Sequence, residues 1–500
     1  MKKFGWMCLV FLILLTACRN SKDKAADMNS GGGDAGQELV ELTMAFHYFG
    51  SVPQDLGLVE EEVNKITKKK LNIKVKFLLI GFSAWQQQMN LMLTGGESLD
   101  LIVTGTTPVF SFTSQVAKGQ LLPLNDLIKQ YGNGIRKVMD PAWLSAGQIR
   151  GNIYGIPSLR EMAGQSGFMM RTDLLQKYNI DASKLKTVED VEKVLALIHE
   201  KESDLIPLAP HVPDEDFVST LSNWDTLGNG LGVLMNYGDN LHVVNLYETP
   251  EYKQRVELYH KWFQAGYILK DAATYKEITY DLVRNDRVFA YASNIKPGIE
   301  MEALKQTGKQ MTPVPMTKPY TASDKLGTLM WGIPAESKHP VEAIKLLDLM
   351  YTDKELVNLL DWGIEGKHYV KVSDNVIKFP DGINDSNNRY SLNLNFLFGN
   401  ETLSYVFEGE DPKLWEKMKE YNTNATRSKA LGFTMDQTPV KREITAVSNV
   451  INQYALGLGT GSLDPDKVLP EFISKLRAAG IDKIITEKQR QLDEWAKQNK

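Results

Sequence analysis

The chain has 500 residues, a formal net charge of −5 and 24% charged residues. It contains no sustained run of basic residues, so composition and charge argue against a nucleic-acid-binding protein. Its two cysteines, Cys8 and Cys18, both lie in the first 18 residues. The rest of the chain therefore has no disulfide, no cysteine metal site and no cysteine nucleophile.

The first residues have the pattern of an export signal. Lys2 and Lys3 precede an apolar run over 4–15, which is shorter than the roughly 20 residues that a membrane-spanning helix needs. The next segment, LTAC at 15–18, resembles the bacterial lipobox, in which the cysteine becomes the lipidated first residue of the mature protein. The alternative is a plain signal peptide in which Cys18 occurs by chance.

The leader thus predicts a lipoprotein signal peptide over 1–17 and lipidation, for example with palmitate, at Cys18. A stretch rich in Gly, Ser, Asp and Lys follows over 18–37 and predicts a flexible tether. We expect the remaining residues to work on the extracytoplasmic face of a bacterial cell membrane, held there by the lipid.

Strands and helices alternate at the start of the globular part. Strands are predicted over 41–46, 72–80 and 100–104, with helices between them, one of them over 83–93. This order is typical of a parallel sheet with right-handed crossovers. Ligands of such sheets lie outside the carboxyl ends of the strands, so the loops at 47–50 and 105–107 are candidate ligand loops.

The later chain continues the alternation of strands and helices. Apolar periodicity and turn signals predict a short helix capped by Asn125, a helix after the capping box at 187–190, and a helix from Pro250 with Tyr252, Val256, Tyr259 and Phe263 inward. Further strands are predicted over 167–170, 287–293 and 328–333, and helices at the end of the chain. Because 38–500 is longer than one hydrophobic core usually serves, we predict an α/β protein with more than one lobe.

Several segments, in their order along the chain, carry a family resemblance. They are DLIVTGTT at 100–107, GQLLPLNDLI at 119–128, GNIYGIP at 151–157, GFMMRTDLL at 167–175, NDRVFAYASNIKPG at 285–298 and TLMWGIPAESKHP at 328–340. Together they resemble the extracellular solute-binding proteins of ABC importers, in the family that includes maltose-type binders. The helical end of the chain resembles the carboxy-terminal module of a LipO-like lipoprotein subfamily.

The resemblance implies a type II periplasmic-binding-protein-like fold with two lobes, a hinge and an interlobe cleft. The implied division is lobe 1 at 38–158 and 293–336, lobe 2 at 159–292 and 337–430, and a C-terminal helical module at 431–500. The chain would cross between lobes near 157–161, 290–294 and 334–340. The lobes of such proteins close over the ligand.

Oligosaccharides bind to aromatic faces and to planar hydrogen-bonding groups. On this basis and on the resemblance, the candidate ligand-binding residues are Tyr48, Phe49, Thr106, Thr107, Arg160, Glu161, Asp214, Asp216, Phe217, Trp224, Trp331 and Trp362. Each also has a structural interpretation. The threonines suit an ordinary turn, the acids a solvated loop, the tryptophans core packing, and the Arg-Glu pair a braced hinge.

Enzyme signatures are incomplete in this sequence. GQSGF at 164–168 lacks the last glycine of a nucleophile elbow, and His199-Glu200 lacks the second histidine of a zinc-protease motif. Asp214 and Asp216 could in principle flank a glycosidic bond. The stretch at 381–385 is rich in oxygen ligands but lacks EF-hand spacing.

The resemblance therefore predicts a substrate-binding protein without enzymatic activity or cofactor; the sequence assigns no metal site and leaves a structural calcium open. It would capture an oligosaccharide or another small solute and deliver it to ABC permease subunits, working as a monomer. The alternatives are a surface glycan sensor or adhesin, and a carbohydrate-active lipoprotein enzyme.

Overall fold

The computed structural model describes residues 39–107, 109–392 and 394–499. The predicted signal peptide and tether, with the predicted lipidation site Cys18, lie outside these ranges. Within them, every helix is too short or too polar to cross a membrane.

Helices and strands alternate along most of the described chain. The strands are β1 (Val40–Tyr48), β2 (Ile73–Gly81), β3 (Leu101–Thr104), β4 (Gln148–Ile149), β5 (Asn152–Ile153), β6 (Ile156–Pro157), β7 (Ser166–Arg171), β8 (Ile206–Ala209), β9 (Val288–Asn294), β10 (Met311–Pro315), β11 (Tyr320–Thr321), β12 (Met330–Gly332), β13 (Val370–Lys371), β14 (Val376–Lys378), β15 (Val406–Phe407) and β16 (Thr426–Arg427).

The helices are α1 (Leu56–Leu71), α2 (Trp85–Gly95), α3 (Phe112–Ala117), α4 (Asn125–Tyr131), α5 (Asn133–Val138), α6 (Pro141–Leu144), α7 (Thr172–Lys177), α8 (Val188–Lys201), α9 (Phe217–Thr220), α10 (Met235–Gly238), α11 (Pro250–Gln264), α12 (Thr279–Arg284), α13 (Ile299–Thr307), α14 (Ser323–Leu326), α15 (Pro340–Thr352), α16 (Lys354–Trp362), α17 (Leu414–Asn424), α18 (Lys441–Gly459), α19 (Pro465–Ala479) and α20 (Ile481–Gln498).

Lobe 1 is built on a five-stranded sheet in the order β2-β1-β3-β12-β6. The predicted parallel arrangement of its first three strands is confirmed, because β1 pairs in parallel with both β2 and β3. The strand β12 returns late in the chain and pairs antiparallel to β3 and β6. All four residues of β3 are buried, as expected for a strand covered on both faces.

Lobe 2 has its own four-stranded sheet, in the order β10-β7-β9-β8. The strand β7 lies antiparallel to β10 and β9, and β8 is parallel to β9. The predicted capping box of the helix over this sheet is confirmed: the Thr187 side chain accepts from the Asp190 amide, and the Asp190 side chain accepts from the Thr187 amide. The result is a second sheet with a second apolar core.

Two details of the predicted helices differ in the structure. Asn125 is the first residue of α4 rather than its cap, and its side chain instead accepts from the Ile153 amide at 2.8 Å. On α11, Trp262 rather than Phe263 is fully buried beside Tyr259. The apolar pattern of 250–264 is compatible with burial of either Trp262 or Phe263. The structure packed against the helix decides which of the two is buried.

The division of the chain between the lobes differs from the predicted one. The strand β10 pairs with β7, so the first stretch of lobe 2 runs on to Pro315 instead of ending at 292. The helices α15 and α16 and the segment 390–398 contribute to the core of lobe 1, although 337–430 was predicted in lobe 2. The predicted crossings between the lobes near 290–294 and 334–340 are therefore wrong.

The C-terminal module, residues 431–500, packs on lobe 2 over its described part. Its helices α18, α19 and α20 bury Val447, Phe472, Leu476, Ile484 and Leu492 in the same core as the lobe 2 sheet. The contacts run mainly through α11, which touches both α18 and α19.

Three segments connect the lobes: 158–165, 316–329 and 399–429. They are joined to one another by backbone hydrogen bonds. Gly164 and Tyr320 exchange two of them, at 2.8 and 2.9 Å, and β11 pairs in parallel with β16. Leu159 donates to the carbonyl oxygen of Gly399 at 2.7 Å. The first segment agrees with the predicted crossing near 157–161.

Candidate functional site

An aromatic cluster occupies the carboxyl edge of the lobe 1 sheet. Phe49 follows β1, Phe82 follows β2, and their ring centroids lie 4.9 Å apart. Phe82 lies 6.1 Å from Phe110, and the buried His47 ring lies 5.3 Å from Phe49. Phe49 is 51% exposed, so this cluster, which we call the aromatic platform, presents an apolar face to solvent.

The aromatic platform carries no charge of its own near neutral pH. Burial lowers the pKa of His47 to about 4, so its imidazole is neutral under ordinary conditions. The Tyr48 ring covers the bare backbone of Gly81, where a Cβ would lie only 3.8 Å from the ring. Aromatic faces of this kind suit the apolar faces of sugar rings.

The two threonines after β3 lie at the same edge of the sheet. The Thr106 amide donates to the carbonyl oxygen of Gly327 at 2.8 Å. The hydroxyl of Thr107 is buried and has no hydrogen-bond partner within the described ranges. Because buried hydroxyls are nearly always hydrogen-bonded in proteins, Thr107 can offer this group to a ligand.

A charged cluster lies where the chain first crosses between the lobes. Arg160 pairs with Glu161, and its guanidinium also donates to the Thr328 hydroxyl at 2.7 Å. Lys296, two residues after β9, lies 3.8 Å from Glu161 and 3.2 Å from Glu302. These contacts join the hinge to the carboxyl end of a lobe 2 strand.

The charges of this hinge cluster shift one another's pKa values. Burial alone would raise the pKa of Glu161, but Arg160 and Lys296 hold it below its usual value. Burial and the nearby Glu161 charge together raise the pKa of Glu401 to about 7. The cluster can therefore keep Glu161 ionised while Glu401 gains or loses a proton near neutrality.

Lobe 2 contributes a second aromatic group at its sheet edge. His211, two residues after β8, shares a 2.6 Å hydrogen bond with the Tyr280 hydroxyl. The His211 ring stacks nearly parallel to Tyr291 of β9, with centroids 6.1 Å apart. Burial raises the pKa of Tyr280 to about 12, so its hydroxyl stays protonated and can donate or accept.

Sequence reasoning missed Phe82, His211, Tyr280 and Lys296. Three of these follow the end of a strand within two residues, which is the signal that selected Tyr48 and Thr106. Tyr48 and Thr106 lie at the ends of the first and third strands of lobe 1, whereas Phe82, His211 and Lys296 follow β2, β8 and β9. The same signal identifies these three residues, and no comparable signal identifies Tyr280.

In the acidic and aromatic stretch at 214–224, three of the predicted residues have partners inside lobe 2. Phe217 is fully buried, and Trp224 is 3% exposed with the Arg255 guanidinium 4.9 Å above its ring. Asp216 caps α9 by accepting from the Ser219 amide at 2.9 Å. These contacts give the three predicted residues structural roles in lobe 2.

The remaining predicted residues also have identified partners. Asp214 is exposed and lies 2.9 Å from Lys276 in an ion pair. Trp331 is fully buried in β12, and its indole donates to the carbonyl oxygen of Leu397 at 2.7 Å. Trp362 donates to the Ser404 hydroxyl at 2.9 Å. The structure does not bring Trp331 or Trp362 into contact with the aromatic platform.

Comparison with known families decides the identity of the fold. The model of the bacterial extracellular solute-binding protein family matches residues 51–356. The chain belongs to this family. A second model, described as a domain of unknown function (DUF3502), matches residues 429–497, which is most of the C-terminal module. Membership confirms the resemblance to extracellular solute-binding proteins of ABC importers.

Relatives of this solute-binding protein cover nearly its whole length. A carbohydrate ABC transporter substrate-binding protein of Streptococcus pneumoniae is 29% identical over 498 residues, covering 97% of this chain and 96% of the relative. The crystal structure of the N-glycan transport solute binding protein (NgtS) of the same species has a TM-score of 0.82, covering 92% of this chain and 100% of that one at 29% identity.

The same N-glycan protein has also been solved with bound glycans. Its complex with Man5GlcNAc gives a TM-score of 0.72 at 29% identity, covering 92% of this chain and 99% of that one. An alginate-binding protein, 19% identical with a TM-score of 0.63, supports the fold alone. The predicted α/β fold with two lobes is therefore confirmed.

Proposed function

We propose that this solute-binding protein is the lipid-anchored receptor of an ABC importer, which captures an extracellular oligosaccharide and delivers it to a membrane permease. One observation carries the proposal. The chain matches, over 91% and 92% of its length respectively, the solved complexes of a solute-binding protein with Man1GlcNAc and with Man5GlcNAc. Mannose-containing N-glycan fragments are therefore the first ligands to test.

The ligand would lie between the two sheet edges. In this proposal Phe49 and Phe82 stack against a sugar ring from lobe 1, and Tyr48, Thr106 and Thr107 complete that side. His211 and Tyr280 offer hydrogen bonds from lobe 2. Aromatic rings and hydroxyls at these positions suit the apolar faces and hydroxyl groups of a sugar.

The hinge cluster supports a closing motion around that ligand. Arg160 and Glu161 belong to the first crossing segment, and Lys296 belongs to lobe 2. In this proposal a ligand binds the closed form more tightly than the open form and so draws the lobes together.

Binding without catalysis is the second part of the proposal. Asp214 is held in an exposed ion pair with Lys276, and Asp216 is occupied in capping α9. Both carboxylates thus have partners within the protein, which supports binding without catalysis. A glycan incubated with an excess of the protein should be recovered intact by mass spectrometry, whereas shortened products would favour the enzyme alternative.

Lipid anchoring at Cys18 is the third part, and it rests on the lipobox-like segment at 15–18. In a bacterial host, the chain should fractionate with membranes and incorporate labelled palmitate. The variant Cys18→Ala should lose the label and appear in the medium. Retention of label by the variant would contradict this assignment.

The decisive experiment is thermal unfolding of the full-length protein in detergent against a panel of glycans, monosaccharides and peptides. A ligand that binds only the folded state raises the melting temperature by mass action. We expect a rise with mannose-containing N-glycan fragments and none with peptides. Stabilisation by peptides alone would overturn the oligosaccharide assignment.

A further inference from the structure

A cavity of about 730 Å³ lies between lobe 1 and the C-terminal module. One wall is formed by α3 and the β4–β5 hairpin, and the other by residues 435–441. Its lining residues include Ala117, Asn152, Tyr154, Met435, Gln437 and Thr438. Its volume falls within the range of about 300–1,000 Å³ that is typical of small-molecule sites.

The two walls belong to different lobes. Ile149, at the base of the hairpin, is part of the lobe 1 core, whereas Met435 is part of the lobe 2 core. The ion pair between Arg150 and Asp436 spans the same gap, at the boundary with a second cavity of about 390 Å³. A molecule in the larger cavity would therefore contact both lobes at once.

The wall from the C-terminal module is held firmly in place. The Asp436 amide donates to the Gln491 side chain at 2.9 Å, and Gln491 donates back to the Asp436 carbonyl oxygen at 2.9 Å. The Thr438 hydroxyl donates to the Asp436 carboxylate at 2.7 Å. Since Gln491 lies on α20, the last helix fixes this wall before any ligand arrives, which lowers the cost of binding.

The lining chemistry suits a carbohydrate. Asn152 and Gln437 carry amides, Thr438 carries a hydroxyl, and the half-buried Tyr154 supplies an aromatic face. Arg150 and Asp436 form an ion pair, and Lys118 and Lys441 add two ammonium groups that can donate to sugar hydroxyls. A few placed polar and charged groups beside an aromatic side chain are the usual composition of a small-molecule site.

A neighbouring cavity of about 410 Å³ joins this region to the proposed glycan site. It is lined by Phe110 of the aromatic platform, and it shares Ser114 and Lys118 with the larger cavity. A ligand long enough to occupy both cavities would reach from the aromatic platform to the C-terminal module.

We propose that this cavity holds the sugar residues of a longer or branched oligosaccharide that extend beyond the aromatic platform. The C-terminal module, whose family model carries no function, is then a wall of the binding site. This inference rests on the proposed function, because it needs an oligosaccharide ligand. In this proposal the C-terminal module distinguishes longer glycans from shorter ones.

The test fills the cavity without removing an existing contact. In Ala117→Trp a large ring enters the cavity from α3, and in the control Ala265→Trp the same ring is added at an exposed position on lobe 2. Each full-length protein is titrated with Man1GlcNAc and Man5GlcNAc by calorimetry. We expect Ala117→Trp to weaken Man5GlcNAc binding at least about 10-fold, with Man1GlcNAc binding and both affinities of the control unchanged.

Other results would overturn the inference. Equal Man5GlcNAc affinity in Ala117→Trp and wild type would show that the cavity stays empty, and an equal loss for both glycans would show that it holds the minimal unit instead. Should Ala117→Trp fail to fold, Gln437→Ala, which removes one amide, replaces it with the same expected selectivity. Wild-type protein that binds neither glycan would instead contradict the proposed N-glycan ligand.

Discussion

Lys488 of α20 donates to the Asn229 side chain at 2.6 Å and to the carbonyl oxygen of Gly232 at 3.0 Å. Its side chain is fully buried, and the loop that it holds contains three glycines with positive φ, at 228, 230 and 232. The last helix of the C-terminal module therefore fixes a lobe 2 loop. Glycine adopts the left-handed backbone conformation of this loop more easily than other residues do.

This buried lysine should make stability depend on pH. Burial lowers the pKa of Lys488 to about 7, below its ordinary value in the unfolded chain. Between pH 7 and about 10 the unfolded state then binds more protons, so the free energy of unfolding rises with pH. Urea unfolding at pH 7, 8, 9 and 10 should show this rise in the wild type and its absence in Lys488→Met.

The control for that prediction is Lys497→Met, which removes an exposed lysine from the same helix. It should keep the wild-type pH dependence. The charge of Asp225 also acts on Lys488. Burial and Asp324 raise the pKa of Asp225 to about 6, so this carboxylate titrates below the pH range of the experiment. A Lys488→Met protein that retained the full rise would refute the role of the buried ammonium.

Glu401 in the third crossing segment should have the opposite effect. Burial and Glu161 raise its pKa to about 7, so the stability that it contributes is complete below pH 4.5 and is lost as pH rises through 7. The melting temperature of wild type should fall between pH 5 and 8, and that of Glu401→Gln should fall less. A steeper fall in the variant would contradict this assignment.

Phe49 should matter for binding and little for folding. The ring is 51% exposed, so Phe49→Ala leaves the core intact but removes a stacking surface worth roughly 0.5–1.5 kcal/mol. Calorimetry should show Man5GlcNAc binding weakened up to about 10-fold, with an unchanged melting temperature. Val372→Ala, which removes a side chain 50% exposed on another surface, should change neither quantity.

Trp224 should show the reverse behaviour. Because its ring is buried beneath Arg255, Trp224→Ala should cost about 3–5 kcal/mol of folding free energy. Protein that remains folded should keep its glycan affinity. Weakened binding at full stability would return Trp224 to the binding site, as the sequence had suggested.

Local structure was predictable where the pattern has one interpretation. The runs that became β1, β2 and β3 alternate with amphipathic segments, so both the strands and their parallel order followed. The capping box at Thr187 was equally definite, because two side chains and their spacing specify it. These features depend only on neighbours in the chain.

Long-range packing was not predictable in the same way. The apolar face of α15, which includes Ile344 and Leu347, shows that one side of the helix is buried. The helical spacing of these residues does not show which lobe covers that side. A tryptophan suits sugar stacking and core packing equally well, so residue type alone does not decide the role of Trp224 or Trp331. Only the surrounding structure, Arg255 in one case and Leu397 in the other, decides between the two.

The pairing among the three crossing segments has a mechanical consequence. The first segment is bonded to the second at Gly164 and Tyr320, and the second to the third along β11 and β16. No single connection can therefore swivel by itself, since swivelling would break the bonds to its neighbour. Any movement of one lobe relative to the other would therefore have to bend all three segments together, about one axis that crosses them.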